Sequence, residues 1–180
     1  MNKKLIVVIN GPAGVGKDTM IEEYAKRTKN SVYNYSTIDY FKEIAKKDFG
    51  WNGIKDEKGR KLLSEIKRIS IEYNDSPTEL AMKKIRTLSE IEYKNDVVMF
   101  VHIREQEETK KLIDNLLKEN YNAKSLYIYT TREIESVKSN SSDDYASDWR
   151  NGLNDYNALI VNDDLDCAVD ELSEIIDLYM

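Results

Sequence analysis

The chain has 180 residues, 33% of them charged, and a formal net charge of −6, which suits one globular domain with a buried core and disfavours broad nucleic-acid binding. Seven glycines and two prolines leave no flexible linker, and one cysteine with one histidine leaves neither an internal disulfide nor a zinc site. The apolar runs Leu5–Ile9 and Val97–Val101 are too short to span a bilayer, and Lys3 and Lys4 precede no signal-peptide core. A soluble, cytoplasmic protein with no membrane or nucleic-acid partner is expected. Charge is uneven: residues 141–180 hold eleven acidic side chains against Arg150 alone, so residues 1–140 carry a net +4 and can line a pocket for a small anion.

Leu5–Ile9 reads as a buried strand. Next come Gly11, Pro12, Ala13, Gly14, Val15, Gly16, Lys17, Asp18 and Thr19, with Gly11, four residues, then Gly16-Lys17 in the spacing of a phosphate-binding P-loop. Glycines let successive N–H groups point inward at phosphate oxygens, and the following helix, expected over 17–28, adds its positive end. Lys17 would reach the β- and γ-phosphates.

Val32–Tyr35 reads as a short second strand. Ser36 or Thr37 is expected to cap the next helix, with Asp39 in its first turn, Phe41, Ile44 and Ala45 on one face, and Gly50 and Gly53 at its end. The polar tract 52–59 reads as a loop. From Arg60 to Tyr73, Leu62, Leu63, Ile66, Ile69 and Tyr73 recur at helical spacing, which puts Arg60, Ser64 and Lys67 on the opposite face. That face is either solvated or borders a substrate cleft.

Ser76-Pro77-Thr78-Glu79 has the pattern of a capping box opening a helix whose stripe is Ala81, Ile85, Leu88 and Ile91, a face for the core or for a homodimer. Val97–Ile103 suits a central parallel strand. A helix over 105–119 with Leu112, Ile113, Leu116 and Leu117 inward, strands at 125–130 and 158–161, and a final helix striped by Leu165, Ala168, Val169, Leu172, Ile175, Ile176 and Tyr179 complete the pattern. Cys167 is expected beside that stripe, partly buried. Five strands alternating with helices predict a three-layer α/β fold: a five-stranded parallel sheet with helices on both faces. Ligands then bind beyond the strands' carboxyl ends. There Lys17, Arg104 and Arg132 are the cationic candidates, joined by Lys42, Arg60 and Lys67. Arg150, in an acidic segment, suits a structural ion pair.

The Gly-Lys-Asp-Thr ending of the P-loop resembles the nucleoside monophosphate kinase branch of the P-loop NTPase fold, and within it the phage and bacterial deoxynucleoside monophosphate kinases. Three other stretches are similar to that family: Ser36-Thr-Ile-Asp39 with Lys42; Val101-His-Ile-Arg104 with Glu108; and Asp155 to Asn162-Asp163, resembling the last strand and the loop that touches adenine. The resemblance implies ATP on Gly11–Thr19, with Asn162 and Asp163 near the base. It implies a nucleotide acceptor bound by Asp39, Lys42, Arg60, Lys67 and Arg104 in a region of about 36–93, and a lid of about 131–150 with Arg132 clamping the transferred phosphoryl group. Mg²⁺ would fall to Thr19 and Asp18, where many P-loops place a hydroxyl first. His102 stands where the family pattern has aspartate; a lone histidine ending an apolar strand is most simply a satisfied core residue and a poor Mg²⁺ ligand. Two other readings stay open: a P-loop kinase for another small metabolite, and a nucleotide-binding regulator without transfer chemistry.

Overall fold

The computed structural model describes residues 2–54, 56–132 and 156–180. Five parallel strands, β1 (Lys4–Asn10), β2 (Ser31–Ser36), β3 (Val97–His102), β4 (Ala123–Tyr129) and β5 (Ala158–Val161), form one sheet in the order β2-β3-β1-β4-β5. β1 pairs with β3 from Lys4↔Val97 to Ile9↔His102, and with β4 from Ile6↔Ala123 to Asn10↔Tyr127. The described helices are α1 (Lys17–Arg27), α2 (Thr37–Phe49), α3 (Glu57–Asn74), α4 (Ser76–Ser89), α5 (Gln106–Lys118) and α6 (Leu165–Tyr179).

The continuous apolar runs of β1 and β3 arise because both faces are covered. Leu5, Val7 and Ile9, with Val98 and Phe100, face α1 and α6, packing on Met20, Ile21, Tyr24, Val169 and Leu172. Ile6 and Val8, with Val97, Met99 and Val101, face α4 and α5, packing on Ala81, Met82, Ile85, Leu112 and Leu116. Each such side chain contributes about 1.5–3 kcal/mol of transfer free energy. Ala81, Ile85 and Leu88 of the α4 stripe therefore belong to the core. Among the described residues no helix is long and apolar enough to cross a membrane.

Several local expectations change. Ser76 is not a cap: Asp75, in the left-handed region at φ 55°, ends α3 and opens α4 without a side-chain capping bond, and its carboxylate pairs with Lys111 at 2.6 Å. Ser36 occupies the N-cap position of α2 but makes no capping bond, and the Thr37 hydroxyl donates to the His102 carbonyl at 3.2 Å. α3 begins three residues before Arg60, because Asp56 caps it by accepting from the Gly59 N–H at 2.7 Å. Ile91 and Leu117 are exposed, Ile91 because α4 has already ended. Cys167 is exposed too: it sits in the first turn of α6, its N–H bonded to the Asp164 cap.

The largest correction concerns α3. Its buried residues are Gly59, Leu63 and Lys67, while Ile69 is 55% and Tyr73 86% exposed. Arg60 is half-buried. Tertiary packing thus turns the helix away from the orientation its apolar spacing suggests: the helix rests on α2 and α4, and a cationic edge faces inward.

Candidate nucleotide and acceptor site

The chain leaves β1, passes outward to β2 at the sheet edge, and returns to β3 beside β1; from β3 it crosses to β4 on the other side. This reversal opens a crevice at the carboxyl ends of β1 and β3, where ligands bind in open α/β sheets. Residues 11–19 and 102–105 line that end.

The P-loop is fixed by close approach. Gly11 has φ 143°, and a Cβ there would lie 2.1 Å from the Ile128 carbonyl oxygen. Gly16, at φ 84°, is the N-cap of α1; a Cβ there would lie 2.7 Å from Asn162 Nδ2. Only glycine fits either place. The buried Asn10 side chain accepts from the Gly11 N–H at 2.6 Å and donates to the Tyr156 hydroxyl at 2.7 Å, tying the loop's entry to the chain before β5. Lys17 Nζ lies across the loop and donates to the carbonyls of Gly11 (2.7 Å) and Pro12 (2.6 Å). Ala13 and Gly14 form the outer curve, with Gly14 at φ 78°, and Val15 is buried beneath.

Asn162 and Asp163 are positioned together but do different work. Asn162 is buried and donates to the Val15 carbonyl at 2.7 Å, a strut beneath the P-loop. Asp163 accepts from the Thr130 hydroxyl at 2.5 Å, the Thr131 N–H at 2.8 Å and the Thr131 hydroxyl. The Thr130 hydroxyl, then the Thr131 donors, with Arg132 adding a smaller effect, hold its carboxyl down at about 2. Arg132 donates to the Asn162 carbonyl at 3.0 Å, with Nε 3.9 Å from Asp163. This stitches the end of β4 to the end of β5. The rest of the expected lid, and Arg150, lie outside the described residues, as does Asp155.

On the other side of β1, His102, Asn34 and Asp18 form a polar chain. His102 Nε2 lies 2.6 Å from Asn34 Oδ1; a carbonyl oxygen only accepts, so this ring nitrogen carries the proton. Asn34 Nδ2 donates to Asp18 Oδ1 at 3.1 Å, which is 3.5 Å from the ring nitrogen. Burial pushes the His102 pKa below the usual histidine value, Lys17 pushes the same way, and Asp18 and Asp39 oppose it. The ring is therefore neutral at pH 7. Asn34 escaped the sequence reading; in an alternating strand it looked like one more outward polar residue.

Asp18 and Thr19 are exposed at the start of α1. Their oxygens are of the kind Mg²⁺ prefers, and the ion usually completes its shell with nucleotide phosphates and water. Among the described residues no three acidic, histidine or cysteine side chains gather into a metal site of their own.

The remaining cations stand on α2, α3 and the β3 end. Lys42 pairs with Asp39 at 2.5 Å one turn along α2, partly exposed to water. Lys67, 9% exposed on the inner face of α3, is paired with Glu105, the residue that opens α5. Arg104 is exposed and Arg60 half-buried. The structure thus brings Lys17, Asp18 and His102 into one hydrogen-bonded and electrostatic neighbourhood. It joins Lys67 to the β3 end, and Arg132 with Asn162 and Asp163 to the β4–β5 end.

No protein-family model matches the chain, and no curated protein matches it. Solved structures do. The shikimate kinases of Bacteroides thetaiotaomicron and Aquifex aeolicus each align at a TM-score of 0.50 with 14% identity, over 96% of this chain and 98% and 96% of theirs. TT1252 from Thermus thermophilus aligns at 0.53 with 12% identity, over all of this chain and 99% of its own. At such identities the likeness is one of fold. With the sheet order, the loop glycines and Lys17 in place, the chain has the P-loop NTPase fold.

Proposed function

We propose that this chain is an ATP-dependent phosphotransferase whose acceptor is a nucleoside or deoxynucleoside monophosphate. The observation that carries the reading is the steric build of Gly11–Lys17, a loop that tolerates no side chain at Gly11 or Gly16 and holds an ammonium across its mouth. Such loops cradle phosphates through backbone N–H groups at a helix N-terminus.

In this reading the Lys17 ammonium leaves the Gly11 and Pro12 carbonyls for the β- and γ-phosphates. Asn162 keeps the loop curved while it does so. Arg132, at the β4 end, approaches the transferred group from the opposite side with the planar fork that suits phosphate oxygens. An acceptor phosphate is already anionic and needs no general base, so catalysis rests on positioning and charge neutralisation. When bound, Mg²⁺ supplies further neutralisation of the phosphate oxygens. Asp39, Lys42, Arg60, Lys67 and Arg104 are the acceptor-side candidates.

A coupled assay of ADP release against a panel of nucleoside monophosphates is the test: one or more should raise turnover above the ATP-only rate. A flat panel defeats the nucleotide acceptor. The second reading, a different small acceptor, is favoured by His102 at the strand end and by fold neighbours that include two shikimate kinases. It predicts turnover on a non-nucleotide acceptor instead. Tight ATP binding with no turnover on any acceptor would mark a regulator.

A further inference from the structure

α3 packs on α2 and α4, and its ion pair to the end of β3 is made by Lys67 and Glu105. The two partners are unequally exposed: the Lys67 side chain is 11% accessible, that of Glu105 31%. A lysine charge that deep needs a counter-charge, because a buried charge left unpaired is strongly destabilising. Glu105 has an alternative. It is the N-cap residue of α5, and its side chain makes no capping bond there. Rotated outward, its carboxylate remains beside the N–H groups of the first turn and the positive end of the helix, and it gains water.

We propose that Glu105 is an internal stand-in for the anionic group of the acceptor: it neutralises Lys67 in the free protein, and a phosphate monoester displaces it. This rests on the phosphotransferase reading above and narrows its acceptor class. Exchanging Glu105 for a free monocarboxylate replaces one single charge by another and adds the entropic cost of association. A phosphate dianion brings a second charge and three acceptor oxygens to the same ammonium. Arg60, two helical turns earlier on α3, stands on the same edge. The pair therefore selects phosphate over carboxylate, and it leaves no unpaired buried charge when the site is free.

The test is calorimetric titration of the full chain, with ADP saturating the P-loop, using inorganic phosphate, methyl phosphate and acetate as probes. Glu105→Gln should bind both phosphates about tenfold more tightly than the wild type, and Glu105→Asp, which loosens the pair while keeping its charge, about threefold more tightly. Lys67→Met should abolish the response in either background, and acetate should bind none of the variants. Circular dichroism melts establish that each variant is folded, and the aspartate variant carries the test if the glutamine variant is not. Unchanged or weaker phosphate binding in the Glu105 variants, wild-type binding in Lys67→Met, or acetate binding equal to phosphate would each overturn the proposal. Turnover on a monophosphate with unresponsive Glu105 variants would sink this inference alone; the expected phosphate response with no turnover on any monoester would support it while sinking the kinase reading.

Discussion

The P-loop and the inner edge of α3 each hold a lysine near the carboxyl ends of the central strands, yet they are built by opposite means. Under the P-loop the shape is set by close backbone packing and neutral hydrogen bonds. Gly11 abuts the backbone of β4, Gly16 abuts Asn162, and the flanking strands are buried on both faces. On α3 the arrangement is electrostatic. The helix turns Lys67 inward and leaves Ile69 and Tyr73 in water, and the Lys67–Glu105 ion pair joins it to the strand end. A site whose shape is set by backbone contacts tolerates no redesign, whereas one held by charge can be retuned by one residue. Nucleotide binding is therefore expected to resist conservative change less well than acceptor choice does.

Substitutions can break that contrast. Lys17→Met should leave the fold intact and lower turnover by about 10³-fold, read by single-turnover kinetics with a melting curve as control. Gly11→Ala should be the most damaging change to the fold, costing about 3 kcal/mol or more because its Cβ meets backbone, not a movable side chain; urea denaturation measures it. Asn162→Ala should cost about 1–3 kcal/mol and raise the ATP KM several-fold by leaving the Val15 carbonyl without its donor. On the α3 side, Asp56→Ala should cost only about 1 kcal/mol, the value of an N-cap, and leave the ATP KM unchanged. If Asp56→Ala and Asn162→Ala raise that KM equally, the two regions are not built differently.

The smallest effect is a pH dependence. The Asp163 carboxyl is held at about 2, below its ordinary 3.8. Its folded-state value is depressed, so the stability it contributes is present above pH 3.8 and is lost as pH falls toward 2. Asp163→Asn should flatten the melting temperature over that window relative to the wild type, while the two proteins differ by a constant amount at neutral pH.

How much of this could be read from sequence follows the same division. The P-loop was legible because a backbone that must curl without side chains leaves glycines at fixed spacing, and β1 and β3 because burial on both faces removes alternation. α3 was not. Leu62, Leu63, Ile66, Ile69 and Tyr73 make a good apolar stripe, but periodicity reports where apolar residues recur, not which neighbour the helix meets: of the five only Leu63 is buried, and Lys67 is buried beside it. The cap at Asp75 was hidden because Ser76 completes a common pattern one residue later. Asn34 and Glu105 were missed because each acquires meaning only from a partner far away in sequence, His102 and Lys67.

The strut from Asn162 to Val15 joins residues 147 positions apart. Contacts of that separation form late, since the entropy of closing so long a loop must be met first. The phosphate loop is made early, yet its support comes from the residue that follows β5, so the loop lacks this strut until that residue has been synthesised and β5 has docked. A chain halted before Asn162 should form most of the sheet and bind ATP poorly, a difference that arrested nascent chains can display directly.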